Sequence, residues 1–172
     1  VVSYNFNSRR LSEKAAQSLK FYSRQTAANV DFTVDSMKHV TDYILSDPDM
    51  LNAMKTLPKY YGSSTYSKTI ERNELLDTLN SGISMYYINS NFYRVIIFNE
   101  FGDVASSTNT GSKITNKARN TTAIDWLDSA ARRHGKPILV APHMDGWGIR
   151  ESEEVFSLVR KVQGGDFGYI EV

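Results

Sequence analysis

The chain has 172 residues, the size of one ordinary domain with room for a real core. Hydrophobic residues at 41% and charged residues at 23% exclude wholesale disorder, and 20 Lys plus Arg against 19 Asp plus Glu leave no basic surplus for nucleic acid or an anionic membrane. There is no cysteine, which excludes disulfides, thiolate zinc sites and cysteine nucleophiles.

No apolar run approaches the ~20 residues of a spanning helix, and no signal-peptide pattern is present. Residues 8–46 contain neither Pro nor Gly. Within them Ala15, Leu19, Tyr22, Thr26, Val30, Thr33, Met37, Val40 and Ile44 recur at gaps of three and four. That spacing predicts one long helix with a docked stripe, roughly 58 Å from end to end. Phe21, Ala28 and Phe32 lie off the stripe and offer a second contact, such as a partner copy of the same helix. The basic clusters Arg9-Arg10 and Arg132-Arg133-His134 read as solvated helix faces.

Asp47-Pro48 breaks this helix and starts the next, with Asp as N-cap and Pro at the first helical position. Met50, Leu51, Met54 and Leu57 form its apolar side, and Pro58 ends it. KYYGSSTYS (59–67) reads as a loop. A third helix presents Leu75, Leu76, Leu79, Ile83, Tyr86 and Tyr87, interrupted by Gly82 and stopped by Asn89-Ser90-Asn91.

The period then switches. YRVIIFN (93–99), the turn EFGD and DVASS (103–107) form a hairpin, followed by a polar loop at 108–120. Thr122 and Asp125 resemble a capping box for a helix with Trp126, Leu127, Ala130 and Ala131 that stops at Gly135. PILVA (137–141), EEVFSLVRKV (153–162) and FGYIEV (167–172) supply three more strands, the last pair joined at Gly164-Gly165-Asp166. The predicted fold is α+β: a long N-terminal helix on a five-stranded, largely antiparallel sheet.

Chemistry is sparse in the pattern. His39 and His134 sit on helices and read as structural or exposed. His143 and Asp145 stand two apart in HMDGWG, expected in a loop after a strand, and two such residues begin a metal site without completing one. There is no serine-hydrolase elbow, phosphate loop or dinucleotide fingerprint. Arg160 shares a strand face with Phe156 and Leu158, so it needs either an acidic partner inside the protein or a bound anion. Trp126 begins a helix directly after a polar loop, where a lid over a pocket would be hinged.

From 93 to 172 the chain resembles the extracellular Cache domains, PAS-like sensory modules of bacterial receptors. The matching residues are Trp126 beginning a helix, Ala130, Gly135, Pro142 and Asp145 in a "P-x-x-D" pattern, and Gly168 before the last strand. The resemblance implies a single sensor domain over 1–172, with 1–50 mostly a stalk helix and 92–172 the sheet and ligand pocket. It implies Trp126, His143 and Asp145 as pocket walls, with Tyr169 on the same sheet; Arg160 joins them as a ligand-binding candidate. Amino-acid-sensing members carry an Arg two before the Trp and a Tyr after it, where this chain has Ile124 and Leu127.

The single module and long helix look most like sensor histidine kinases of Gram-positive bacteria. The domain itself is then no enzyme and needs no cofactor or metal. Its expected partners are a small ligand or a ligand-loaded binding protein, and a second copy through the long helix, at the outer face of the cell membrane. The strand-like ending GYIEV (168–172) fits a domain cut from a chain with membrane helices on both sides. The alternatives are a chemoreceptor or cyclic-dinucleotide signalling parent, a small metal-dependent enzyme using His143, Asp145 and Glu153, and an interaction domain whose pocket is filled by its own aromatics.

Overall fold

A computed structural model describes residues 2–62, 65–88, 92–107, 124, 126–147 and 154–172, with side chains from residue 11 onward except those of 87 and 88. Helix α1 runs Val2–Ser46, α2 Pro48–Thr56, a 3-10 turn Leu57–Tyr60, and α3 Tyr66–Ile88. Strands β1 (Ile96–Phe98) and β2 (Val104–Ser106) precede the short helix α4 (Leu127–Ala131), then β3 (Ile138–Met144), β4 (Glu154–Lys161) and β5 (Tyr169–Glu171). The polar 108–120 segment, the Thr122–Asp125 capping pair, the Asn89-Ser90-Asn91 stop and Glu153 lie outside the described residues.

Two compact units divide the chain, Val1–Ser36 and Met37–Val172. In the first, every residue from 11 to 32 is exposed, Leu19 and Tyr22 of the periodic stripe included. In the second, the stripe is buried at Met37, Val40 and Ile44, with Thr41 buried beside it. Asp47 caps α2 through its carboxylate, which accepts from the backbone N–H of Asp49 at 2.9 Å and of Met50 at 3.0 Å. The α-helix stops at Thr56, ahead of Pro58 as expected, and Pro58 itself lies in the 3-10 turn that follows. Gly82 lies within α3 where a Cβ would stand 2.5 Å from Met50 Sδ, so the missing side chain lets α2 pack closely there.

The sheet is five-stranded and antiparallel, in the order β2-β1-β5-β4-β3. The last strand of the described chain therefore lies at its centre. Register pairs Ile96 with Glu171, Phe98 with Tyr169, and Val159 with Glu171, which places these residues and Ser157 on one face. Ile97, Leu158, Arg160 and Ile170 take the other face, where Ile97 lines a small cavity together with Met54, Leu57 and Leu79 of the helical segments. Gly168 enters β5 at φ +115°, and a Cβ there would overlap the Phe98 carbonyl. That backbone conformation and that contact both require glycine.

Two expectations need correction. β3 runs on through Pro142 and His143 to Met144, so His143 is a strand residue rather than a loop residue. A register shift between Val140 and His143 accommodates Pro142, which has no N–H to give to a regular ladder. Helix α4 has only five residues; the chain turns from Arg132 to Gly135, which has a φ of +77°.

Candidate functional site

The face carrying Glu171 supports an aromatic cluster. Phe98 stacks on Tyr169 at 5.4 Å between ring centres, and meets Trp147 edge-on at 4.8 Å and Trp126 at 6.0 Å. Ile96, Val159 and Ala130 complete the buried cluster, with Ile124, Leu127, Ile138 and Val140 packed against it. Trp126 occupies the cap position of α4 and is half-buried, so α4 hangs its first side chain over this face.

Beside the cluster lies a cavity of about 390 Å³, lined by Ile124, Trp126, His143, Met144, Asp145, Gly146, Trp147 and Glu171. Both tryptophans of the chain line it. Trp126, His143 and Asp145 thus come together from α4 and the end of β3. Tyr169 and Arg160 do not join them. The Tyr169 ring faces the same side but is fully packed, its hydroxyl donating to Glu100 at 3.1 Å and Lys161 standing 5.7 Å from the ring centre. Burial, with Glu100 beside it, pushes the Tyr169 hydroxyl well above its ordinary pKa.

Arg160 points from the opposite face toward α1. It is ion-paired with Asp42, donates from Nε to the Gly135 carbonyl at 2.7 Å, and reaches Thr41 Oγ1 at 3.4 Å. Of the two possibilities open for Arg160, the internal acidic partner is the one in place.

Asp145 holds the turn at the cavity edge. Its carboxylate is bound by both terminal nitrogens of Arg94, by Tyr93 OH at 3.4 Å and by the Trp147 backbone N–H at 3.0 Å. Burial by itself pushes this carboxyl up, but the Arg94 guanidinium and the Trp147 N–H hold it below the ordinary aspartate value. With its side chain fully buried and the Arg94 side chain only 6% exposed, the pair is a structural tie. Asp145 therefore wedges Trp147 into place instead of offering a free carboxylate.

Among the described lining residues Glu171 is the acid that the cavity does present. Its Oε2 accepts from Trp147 Nε1 at 2.7 Å and its Oε1 from Ser157 Oγ at 2.8 Å. His143 Nε2 stands 3.8 Å from Oε1. His143 Nδ1 lies 2.9 Å from the Ala141 carbonyl, which can only accept, so Nδ1 carries a proton. A neutral ring would then turn a lone pair toward the carboxylate. The interaction with Glu171 accordingly raises the His143 pKa, against a smaller opposing effect of burial.

Arg94, Trp147 and Glu171 escaped the sequence reading. Strand alternation carried a signal for Glu171, which follows Tyr169 by two, and for Arg94, which precedes Ile96 by two. Among the described residues no group of three His, Asp or Glu side chains is placed to hold a metal, and no helix is long and apolar enough to cross a membrane. No protein-family model matches the chain, and no curated protein matches its sequence.

Proposed function

We propose that this domain is a ligand-sensing module of the Cache, PAS-like kind, from a membrane receptor whose output is a two-component histidine kinase. The observation that carries the reading is convergence: Trp126, His143 and Asp145, named from the resemblance, line one cavity of about 390 Å³ on the Glu171 face of the sheet. That volume suits a small organic molecule. The element order also supports the reading, with two strands, a short helix and three strands after the long helix.

Signal transfer follows from the two faces of the central strands. Glu171 faces the cavity, while its neighbour Ile170 lies on the opposite face, paired across the ladder with Arg160. Arg160 in turn grips α1 at Asp42 and Thr41. A ligand that shifts β5 against β4 changes how Arg160 seats on α1, and an arrangement favoured by ligand becomes the populated one. The exposed Leu19, Phe21, Tyr22, Val30 and Phe32 on the helix of the first unit support pairing with a second copy in the receptor.

The test uses the two tryptophans as reporters. Titrating the domain with amines, polyols, amino acids and carboxylates should give a saturable change in intrinsic fluorescence for one class. Trp126→Ala should abolish that binding, read by calorimetry, while leaving the fold intact by circular dichroism. A domain that binds none of these classes, or binds one with Trp126→Ala unaffected, contradicts the reading.

A further inference from the structure

Charge bookkeeping around the cavity narrows the ligand, given that this cavity is the sensing site. Among the described residues the permanent charges lining it are Asp145 and Glu171, with Arg94 paired to Asp145. Arg94 and Asp145 neutralise each other in a buried bidentate pair. Among the described residues Glu171 is then left with two neutral donors, the Trp147 indole and the Ser157 hydroxyl, at a position 6% exposed. A buried carboxylate without a counter-charge is costly. Among the described lining residues only His143 can supply one, and only when protonated.

We infer that the cavity takes a compact organic cation, such as a quaternary or primary ammonium with a small apolar body, held against Trp126 and Trp147 and neutralising Glu171 in place of the proton on His143. Both indoles line the space beside Glu171, and aromatic rings attract cations electrostatically. Ile124 and Met144 give the apolar body its contacts. An anion finds no unengaged cation among the described lining residues. A bare metal ion finds too few ligands there. Asp145 plays no direct part, because Arg94, Tyr93 and Trp147 occupy both its oxygens.

Competition between ligand and proton gives the inference its signature. Among the described residues the charged groups acting on His143 are Glu171 on β5 and Asp145 just past β3, the latter neutralised by its pairing with Arg94. With Glu171 countered by the imidazolium at low pH, a cation must displace that proton. Cation affinity therefore rises with pH through the His143 titration, while a neutral ligand shows no such rise.

The experiment is calorimetric titration with choline, with its neutral isostere 3,3-dimethylbutan-1-ol, and with an anion of like size, 3,3-dimethylbutanoate, at pH 5.5 and pH 8. The expected result is choline binding at least about tenfold tighter than the isostere at pH 8, weakening toward pH 5.5, with the anion not bound. Glu171→Gln should reduce the preference for choline and abolish its pH dependence, and the pH series on the unaltered domain stands even where that variant folds poorly. If the neutral or anionic probe binds as well as choline and Trp126→Ala abolishes it, the cavity is a ligand site but the cation inference is wrong. If none of the three binds at either pH, the cation inference fails, and the broader fluorescence screen alone decides whether the cavity binds anything.

Discussion

The indole N–H of Trp147 donates to Glu171 at 2.7 Å, while the backbone N–H of the same residue donates to Asp145 at 3.0 Å. One tryptophan thus ties the turn after β3 to the central strand β5. The acid in the turn is neutralised by Arg94, and the acid on the strand is left facing the cavity.

Breaking the structural pair should be severe. Asp145→Ala leaves the buried Arg94 guanidinium unpaired and should cost about 3–5 kcal/mol, measured by chemical denaturation. Removing both charges with Arg94→Met and Asp145→Leu should recover much of that loss. The pair also gives an acid limb to stability. The folded Asp145 pKa is lowered, so the contribution is present above the ordinary aspartate value and is lost as pH falls through the folded one. Asp145→Leu in the Arg94→Met background should flatten that limb.

His143 has the opposite sign. Its folded pKa is raised chiefly by Glu171, so its contribution is full below the ordinary histidine value and is lost as pH rises through the higher folded one. Thermal melts of the unliganded domain between pH 5 and 8 should show this decline, and His143→Gln should remove it. A pH-independent difference between the two proteins would contradict the pairing with Glu171.

Gly168→Ala should destabilise by more than about 1 kcal/mol, because alanine is strained at a positive φ and its Cβ meets the Phe98 carbonyl. Gly102→Ala is the control: it shares a positive φ in the β1–β2 turn, but among the described residues no atom beyond its chain neighbours lies within 4 Å of its Cβ. The excess cost at Gly168 measures the close approach of β5 to β1.

Much of the fold was legible because its signals are local. Asp47-Pro48 carries its own capping chemistry, and the switch from period 3.6 to period 2 after residue 92 marks the sheet. The helical stripe from Ala15 to Ile44 was also visible, but periodicity identifies a face and not what covers it. Only the part from Met37 onward is buried among the described residues. Pro142 looked like a strand end because proline cannot join a regular ladder, and a bulge lets β3 continue past it. Trp126, His143 and Asp145, named by resemblance, line one cavity. Their division of labour was not legible, since the pairing of Arg94 with Asp145 spans residues far apart in sequence. Arg160 was correctly seen to need a counter-charge, yet nothing local placed Asp42 across from it.

Arg160→Ala should cost under about 1 kcal/mol, since its partner Asp42 is largely exposed. Its effect should fall on communication. Ligand affinity at the cavity should stay within a few-fold of the unaltered domain, measured by calorimetry, because Arg160 lies on the opposite face of the sheet.

The most direct measurement is hydrogen–deuterium exchange across residues 37–46, with the cavity empty and then saturated by whichever probe the fluorescence screen selects. Ligand should change exchange in this segment of α1 in the unaltered domain, and the change should disappear in Arg160→Ala while binding persists. A saturated cavity that leaves this segment unchanged would contradict a sensing role coupled through α1.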